Sequence, residues 1–260
     1  MKTVILAGGL GTRLSEETVV KPKPMVEVGG MPILWHIMKT YSSYGHNEFM
    51  VALGYKGGFI KDFFINYKTY RSDVILDLKS GNVTLEDSRT EIEDWRIHLC
   101  ETGKESMTGG RLLRLKPYFD KDETFMLTYG DGVSDIDIDK LIDFHQKHGK
   151  IATLTAVRPP ARFGAIITDE TGKIKEFKEK PQIGEGWING GYFVFNAKIF
   201  DYLQQGDATI LEQDPLEKLT ADGELMAYRH DGYWQCMDTI RDKDVLNDLW
   251  NKGKATWKKW

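Results

Sequence analysis

Short apolar segments typical of β-strands alternate with segments of helical periodicity along the first half of the chain. Residues 3–6, 49–53 and 125–129 are apolar runs of strand length, whereas residues 33–41 and 138–148 repeat apolar side chains at helical spacing. This alternation is typical of parallel strands joined by crossover helices. Because the second half has more short strand-like segments, we predict an α/β fold. It would have a Rossmann-like, mostly parallel mixed sheet flanked by helices and a smaller β-rich elaboration.

Three further strand candidates within the first half predict a β-meander: residues 74–78, 83–85 and 96–100. The length of 260 residues allows one large domain or two small ones. No internal repeat and no linker rich in Pro, Gly or Ser divides the chain, so we predict a single domain over residues 1–260.

Composition excludes several classes of protein. The chain has 35 Lys and Arg against 39 Asp and Glu, a formal net charge of −4, and no basic block. This balance argues against a nucleic-acid partner or an anionic membrane surface. No apolar run approaches the ~18 residues of a membrane-spanning helix, and Cys100 and Cys236 cannot form a disulfide framework. We therefore predict a cytoplasmic protein with no membrane partner.

A glycine-rich loop follows the first strand candidate directly. Residues 8–13 read Gly-Gly-Leu-Gly-Thr-Arg, and Lys21 and Lys23 follow between two prolines. Glycines let backbone N–H groups approach an oxyanion without a Cβ in the way, and a guanidinium such as that of Arg13 suits phosphate. A tight strand–helix turn with solvated lysines is the alternative explanation, because a glycine-rich loop by itself is weak evidence.

Two phosphate-binding motifs are excluded by the residues of this loop. It is not a P-loop, because no Gly-Lys-Ser/Thr follows the glycines. It is not the dinucleotide motif G-x-G-x-x-G, because the last spacing holds Arg13 and ends at Leu14, where a glycine would be needed.

The stretch from Leu6 to Leu14 together with Lys23-Pro24-Met25 resembles the signature of the sugar-nucleotide pyrophosphorylases. These nucleotidyltransferases join a nucleoside triphosphate to a sugar 1-phosphate and release pyrophosphate. Further landmarks of the family recur in order along nearly the whole chain: Tyr129-Gly130-Asp131-Gly132, Glu179-Lys180-Pro181, Asn189-Gly190-Gly191 and Asp238. The resemblance implies that residues 1–150 mainly bind the nucleotide and residues 151–260 mainly bind the sugar phosphate.

The resemblance also implies four catalytic residues, and two of them hold a metal. Asp131 and Asp238 would hold Mg²⁺, which is usually bound by one or two carboxylates plus phosphate oxygens. Arg13 would steady the leaving pyrophosphate, and Lys23 would lie near the α-phosphate and the attacking phosphate. From the residues themselves, Asp131-Gly132 is also an ordinary turn dipeptide, and Asp238 is one acid among many.

Substrate contacts follow from the same resemblance. The sugar-phosphate contacts would be Glu179, Lys180, Asn189 and Gly190, although a solvated strand end and a plain turn are the alternatives for these two segments. The nucleotide contacts would be Leu6, Ala7, Gly8, Gly9, Leu10, Gly11, Thr12, Arg13, Lys23, Ser106, Arg111 and Gly130.

The loop at residues 101–111 bears on the choice of base. Its Thr-Gly-Gly-Arg ending departs from uridylyl- and thymidylyl-transferring relatives and is similar to the family branch that transfers CMP from CTP to glucose 1-phosphate. In that branch the product serves bacterial surface polysaccharide, including lipopolysaccharide O-antigen, and the enzymes are homo-oligomers, so the resemblance implies a hexamer. A uridylyl- or thymidylyl-transferase and a non-catalytic regulatory homologue remain the alternatives. Residues 108–111 could also simply begin a helix.

Overall fold

The computed structural model describes residues 1–9, 11, 14, 18, 20–86, 91–158, 165–168, 173–178 and 186–260; for residues 165–168 and 176–178 it describes the backbone. The strands are β1 (Lys2–Leu6), β2 (Glu27–Val28), β3 (Met31–Pro32), β4 (Glu48–Leu53), β5 (Asp73–Leu76), β6 (Val83–Glu86), β7 (Arg96–Glu101), β8 (Thr124–Tyr129), β9 (Gly132–Ser134), β10 (Ala152–Val157), β11 (Ala165–Thr168), β12 (Ile174–Lys178), β13 (Ile188–Asn196), β14 (Leu225–His230) and β15 (Trp234–Cys236). The α-helices are α1 (Ile33–Ser42), α2 (Gly57–Ile65), α3 (Tyr67–Arg71), α4 (Thr108–Arg114), α5 (Ile138–His148), α6 (Asp214–Ala221) and α7 (Ile240–Asn251). Short 3₁₀ turns include Lys23–Met25 and Ala197–Tyr202.

A seven-stranded sheet in the order β14-β10-β13-β8-β1-β4-β7 forms the centre of the molecule. Neighbouring strands are parallel except β13, which is antiparallel to both β10 and β8. The predicted α/β fold with a mixed, mostly parallel sheet is therefore confirmed. Because β13 runs against its neighbours, its first residues lie at the edge where the other strands end.

Side chains of the sheet alternate between two hydrophobic cores. Ile5 of β1 packs with α1, α5 and α7 on one face, whereas Val4 and Leu6 pack with α4, α6 and the Ala197–Tyr202 turn on the other. This alternation is the period of two that a strand imposes on its side chains. Helices on both faces leave the carboxyl-end edge of the sheet as the place for a ligand.

Two expectations about strand pairing are wrong. The predicted meander does not form, because β5 pairs only with β6 among the described residues, while β7 joins the central sheet parallel to β4. The strands of the second half also do not form one separate layer, since β10, β13 and β14 extend the central sheet, whereas β11 and β12 form their own ribbon and β15 pairs with β9. Among the described residues, none of the helices has the length and apolar character needed to cross a membrane.

Candidate active site

The carboxyl-end edge of the sheet opens into a cavity of about 600 Å³. Its walls are the residues that follow β1 and β8, the loop before α4 and the first residues of β13, together with Lys23 and the segment from Trp234 to Asp238. These segments meet because parallel strands end at the same edge, and β13 starts there. Cavities of this size are typical of small-molecule sites.

The glycines after β1 have two different roles. A Cβ on Gly8 would overlap the Arg111 guanidinium, so this glycine makes room for a buried side chain. A Cβ on Gly9 would meet no described atom within 4 Å, and Gly9 lines the cavity. Gly9 therefore leaves backbone open to a ligand, whereas Gly8 serves packing.

Arg111 ties the segments around the cavity together. It is only 5% exposed, and burial lowers the pKa of its guanidinium. The guanidinium donates to four backbone carbonyls: Leu53 (3.1 Å), Gly103 (2.6 Å), Gly8 (2.9 Å) and Lys104 (3.3 Å). Arg111 lines the cavity, and its Nη1 and Nη2 donors hold the protein's own loops, so its predicted contact with the nucleotide stays a prediction.

The pairing of β9 with β15 brings together two acids that are far apart in sequence. Gly132 lies opposite Cys236, and the Met237 amide donates to the Asp131 carbonyl at 2.8 Å. Asp131 precedes β9 and Asp238 follows β15, so antiparallel pairing places both at the same end of this ribbon.

Asp238 is held in place by the start of α7. Thr239 and Asp242 form a capping box, in which each side chain accepts from the other's backbone N–H. The same Asp242 carboxylate accepts from the Asp238 amide at 3.1 Å. The backbone of Asp238 is therefore fixed at a helix terminus, which is a rigid support for a functional side chain.

Lys23 lies between the two acids. Its Nζ is 2.7 Å from Asp131 Oδ2 and 2.5 Å from Asp238 Oδ1. Burial by itself would lower the pKa of Lys23, but the charges and hydrogen bonds of Asp131 and Asp238 outweigh it and raise the pKa. Lys23 is thus a charged ammonium at the floor of the cavity.

The side-chain donors at this point fit a hard divalent cation whose remaining ligands come from a bound substrate. Asp131 and Asp238 both contact the Nζ atom of Lys23, so their carboxylates are close enough for a single cation to contact both. Within the described part of the chain, no group of three or more His, Cys, Asp or Glu is arranged to hold a metal. Mg²⁺ commonly takes one or two carboxylates and phosphate oxygens, whereas the Cys236 thiol, 3.8 Å from Asp238, is a poor ligand for it.

The opposite wall begins with β13. Asn189 lies on the cavity and donates from Nδ2 to Tyr129 Oη at 3.4 Å, and its Oδ1 accepts from the Gly191 amide at 2.8 Å. Trp234 donates from its indole nitrogen to the Gly190 carbonyl at 2.7 Å. A Cβ on Gly190 would lie 2.6 Å from Val157 Cγ1, so this position also needs glycine for close packing.

Sequence reasoning missed several residues around the cavity. Thr108, Tyr129 and Trp234 line it, and Glu212 contacts two of them, Thr108 and Tyr129. Burial, followed by the charge of Glu212, raises the pKa of Tyr129, so its hydroxyl is a hydrogen-bond donor. Tyr129 belongs to a recognised motif and could have been included, whereas nothing in the sequence near Glu212 distinguishes it from other surface acids.

Most of the other predicted site residues lie on this cavity. Ser106 is buried in its wall, and Leu6, Ala7, Gly11 and Gly130 also line it. Five predicted site residues lie outside the described residues: Leu10, Thr12, Arg13, Glu179 and Lys180. The assigned roles of all these residues stay predictions.

Comparison with known proteins places the chain in a family. The model of the nucleotidyl transferase family matches residues 2–242. The chain is 55% identical over 260 residues to glucose-1-phosphate cytidylyltransferase of Salmonella typhi, covering 100% of both chains. It is 28% identical over 253 residues to mannose-1-phosphate guanylyltransferase catalytic subunit beta of Dictyostelium discoideum, covering 96% of this chain and 64% of the relative.

A solved structure has a fold similar to that of this chain. HddC from Yersinia pseudotuberculosis is 25% identical and superposes with a TM-score of 0.67, covering 96% of this chain and 99% of that one. Because the family model spans most of the chain and the Salmonella relative matches over its full length, this chain belongs to the nucleotidyl transferase family.

Proposed function

We propose that this protein transfers the CMP moiety of CTP to α-D-glucose 1-phosphate and releases CDP-glucose and pyrophosphate. The observation that carries this proposal is the convergence of Lys23, Asp131 and Asp238 beside the glycine loop. Cationic and metal-binding groups meet there next to open backbone at Gly9. This combination suits transfer at a phosphorus atom, where catalysis is mainly positioning and charge stabilisation.

The reaction needs no nucleophile from the protein. An oxygen of the sugar phosphate attacks the α-phosphorus of CTP in line with the leaving pyrophosphate, and the monoester is already anionic at neutral pH. Lys23 would donate to the α-phosphate and the attacking phosphate, and Arg13 would contact the pyrophosphate. Asp131 and Asp238 would hold Mg²⁺, which when bound would neutralise charge on the transferred and leaving phosphates.

The choice of CTP and glucose 1-phosphate is supported by similarity. Identity is 55% to the Salmonella cytidylyltransferase over the full length, against 28% to the Dictyostelium guanylyltransferase. The loop at residues 101–111 lines the cavity through Ser106 and Met107, where it can contact a pyrimidine. Since CTP is a cytoplasmic metabolite, we place the reaction in the cytoplasm, as a step toward bacterial surface polysaccharide.

A substrate panel tests the proposal. Pyrophosphate release would be measured with glucose 1-phosphate, Mg²⁺ and each of CTP, UTP, dTTP, ATP and GTP. We expect CTP to give the highest kcat/KM. Equal or better turnover with UTP or dTTP would refute the cytosine assignment, and no release with any triphosphate would favour a non-catalytic homologue.

The metal acids are tested by isosteric substitution. Asp131→Asn and Asp238→Asn should each lower kcat by several orders of magnitude, because metal neutralisation is a large transition-state effect. Asp139→Asn is the matched control, since Asp139 is an exposed acid in the first turn of α5. Activity that survives both site substitutions would exclude the metal assignment.

We also propose that the protein is a homo-oligomer, and the resemblance of its sequence to the CMP-transferring branch of the family implies a hexamer. The β5–β6 ribbon exposes Ile75 (54%), Leu76 (53%) and Val83 (59%), and an isolated two-stranded ribbon is marginally stable. Ile75→Asp should lower the mass measured by light scattering, whereas Val245→Asp on α7 should leave it unchanged. A wild-type monomer would contradict this proposal.

A further inference from the structure

We propose that Glu212 is a positioning residue that holds the nucleotide wall and the sugar wall of the cavity at a fixed spacing. The inference rests on the proposed function, because it assigns substrates to these two walls. The nucleotide wall is the loop 103–107 with the start of α4, and the sugar wall is Tyr129 with the first residues of β13.

The Glu212 carboxylate bridges the two walls with one oxygen on each. Its Oε1 accepts from Tyr129 Oη at 2.5 Å, and its Oε2 accepts from Thr108 Oγ1 at 2.6 Å. Thr108 Oγ1 also accepts from the Leu211 amide at 2.9 Å, so the segment that carries Glu212 is attached twice to the start of α4. The carboxylate therefore contacts both walls directly.

Each hydroxyl that Glu212 binds is part of a wall that substrates would touch. Thr108 begins α4 directly after Ser106 and Met107, both of which line the cavity. The Tyr129 hydroxyl also contacts Asn189 on β13, and a Cβ on Gly191 would overlap the Tyr129 ring. With Gly191 at a φ of +77°, the ring rests directly on the backbone of the sugar wall.

The charge of Glu212 argues for a geometric role. Within the described part of the chain, its carboxylate accepts from two hydroxyls and contacts no ammonium or guanidinium. A carboxylate beside a cleft for polyanionic phosphates is electrostatically unfavourable. Charged acceptors do, however, make the shortest and strongest hydrogen bonds to hydroxyl groups, which suits a rigid bridge.

Wall spacing matters because the reaction joins two bound molecules. The attacking phosphate on the sugar wall and the α-phosphorus on the nucleotide wall must meet in line, and a misplacement of about 1 Å can cost about 100-fold in rate. Loosening the bridge should therefore affect both substrates, whichever wall is altered.

A mutant cycle tests the bridge. Thr108→Val and Tyr129→Phe each remove one hydroxyl, and each should lower kcat/KM about tenfold, the equivalent of one hydrogen bond to a charged group. Thr108→Val should raise the KM for glucose 1-phosphate, and Tyr129→Phe should raise the KM for CTP, although each residue lies on the other substrate's wall. The double variant should lose little more than either single one.

The Glu212→Ala background provides the decisive comparison. There, Thr108→Val and Tyr129→Phe should each lower kcat/KM several-fold less than in the wild-type background, because the bridge is already absent and only the Leu211 and Asn189 contacts of the two hydroxyls remain to be lost. Thr108→Ser keeps the hydroxyl and should restore most of the activity lost in Thr108→Val. Glu217→Ala, at an exposed glutamate of α6, is the control and should behave as wild type.

Two results would overturn the inference: losses that multiply in the double variant, or losses that persist undiminished in Glu212→Ala. A bridge with only a structural role would lower the thermal midpoint without the crossed KM effects, and this too would overturn it. Failure of the proposed function is separately visible, since the wild-type protein would then make no CDP-glucose.

Discussion

Replacing Lys23 by methionine removes the ammonium that contacts both Asp131 and Asp238 and leaves the two carboxylates facing each other. The exposed fractions of the three side chains are 11% for Lys23, 31% for Asp131 and 18% for Asp238. Removing one partner of a buried ion pair typically costs about 3–5 kcal/mol. Because water reaches Asp131, we expect a loss of about 2–3 kcal/mol in the free energy of unfolding.

Lys21→Met is the matched control for this substitution. Lys21 is two residues away and pairs with Glu27 at 2.8 Å, but Glu27 is 53% exposed. Exposed pairs contribute about 0–1 kcal/mol, so this variant should be nearly as stable as wild type. The two substitutions remove the same charge from the same segment and differ in the burial of the partners.

Urea unfolding at pH 7.5 and low ionic strength measures both variants, with and without MgCl₂ and in the absence of nucleotide. A divalent cation that binds the folded state stabilises it by mass action. We expect Mg²⁺ to restore more stability to Lys23→Met than to wild type, since the two acids then lack their ammonium. Equal stability of the two lysine variants would refute the reasoning about the buried site.

Three further predictions concern the packing around the site. Burial lowers the pKa of His36 to about 4, below its unfolded value, so its contribution to stability is complete above about pH 6.5. That contribution, about 3 kcal/mol, is lost as the pH falls toward 4. In urea unfolding from pH 7.5 to 4.5, the free energy of unfolding should therefore fall less steeply with pH for His36→Asn than for wild type. Gly8→Ala should destabilise the fold by about 1–3 kcal/mol, because its Cβ meets Arg111. Gly9→Ala should keep the free energy of unfolding within about 0.5 kcal/mol of wild type but raise the KM for CTP. Equal destabilisation by the two substitutions would contradict these two roles. Trp257→Ala should cost about 3–5 kcal/mol in thermal or urea unfolding, because this fully buried ring anchors the C-terminal segment on the core beside His36, and a cost below 1 kcal/mol would contradict that anchoring.

Elements with local signals could be predicted well. The apolar run of β1, the helical spacing of α1 and the Gly149 cap of α5 each depend on residues that are close together in the chain. The placement of Asp131 at the end of a strand follows from the same local pattern. The predicted meander is wrong because β7 could pair with more than one strand. In the structure it pairs with β4, where its apolar side chains pack on the hydrophobic core.

The α/β class, the glycine loop and the residue types of a phosphate site could all be predicted from the amino-acid sequence, because they are set by short-range periodicity and by motif chemistry. Which of these residues meet became visible in the tertiary structure, in which Lys23 contacts Asp131 across 108 positions and Asp238 across 215. It also showed that Arg111 holds backbone carbonyls and that Glu212 joins two walls. Such contacts depend on strand pairing and burial between distant segments, which no local pattern of residues encodes.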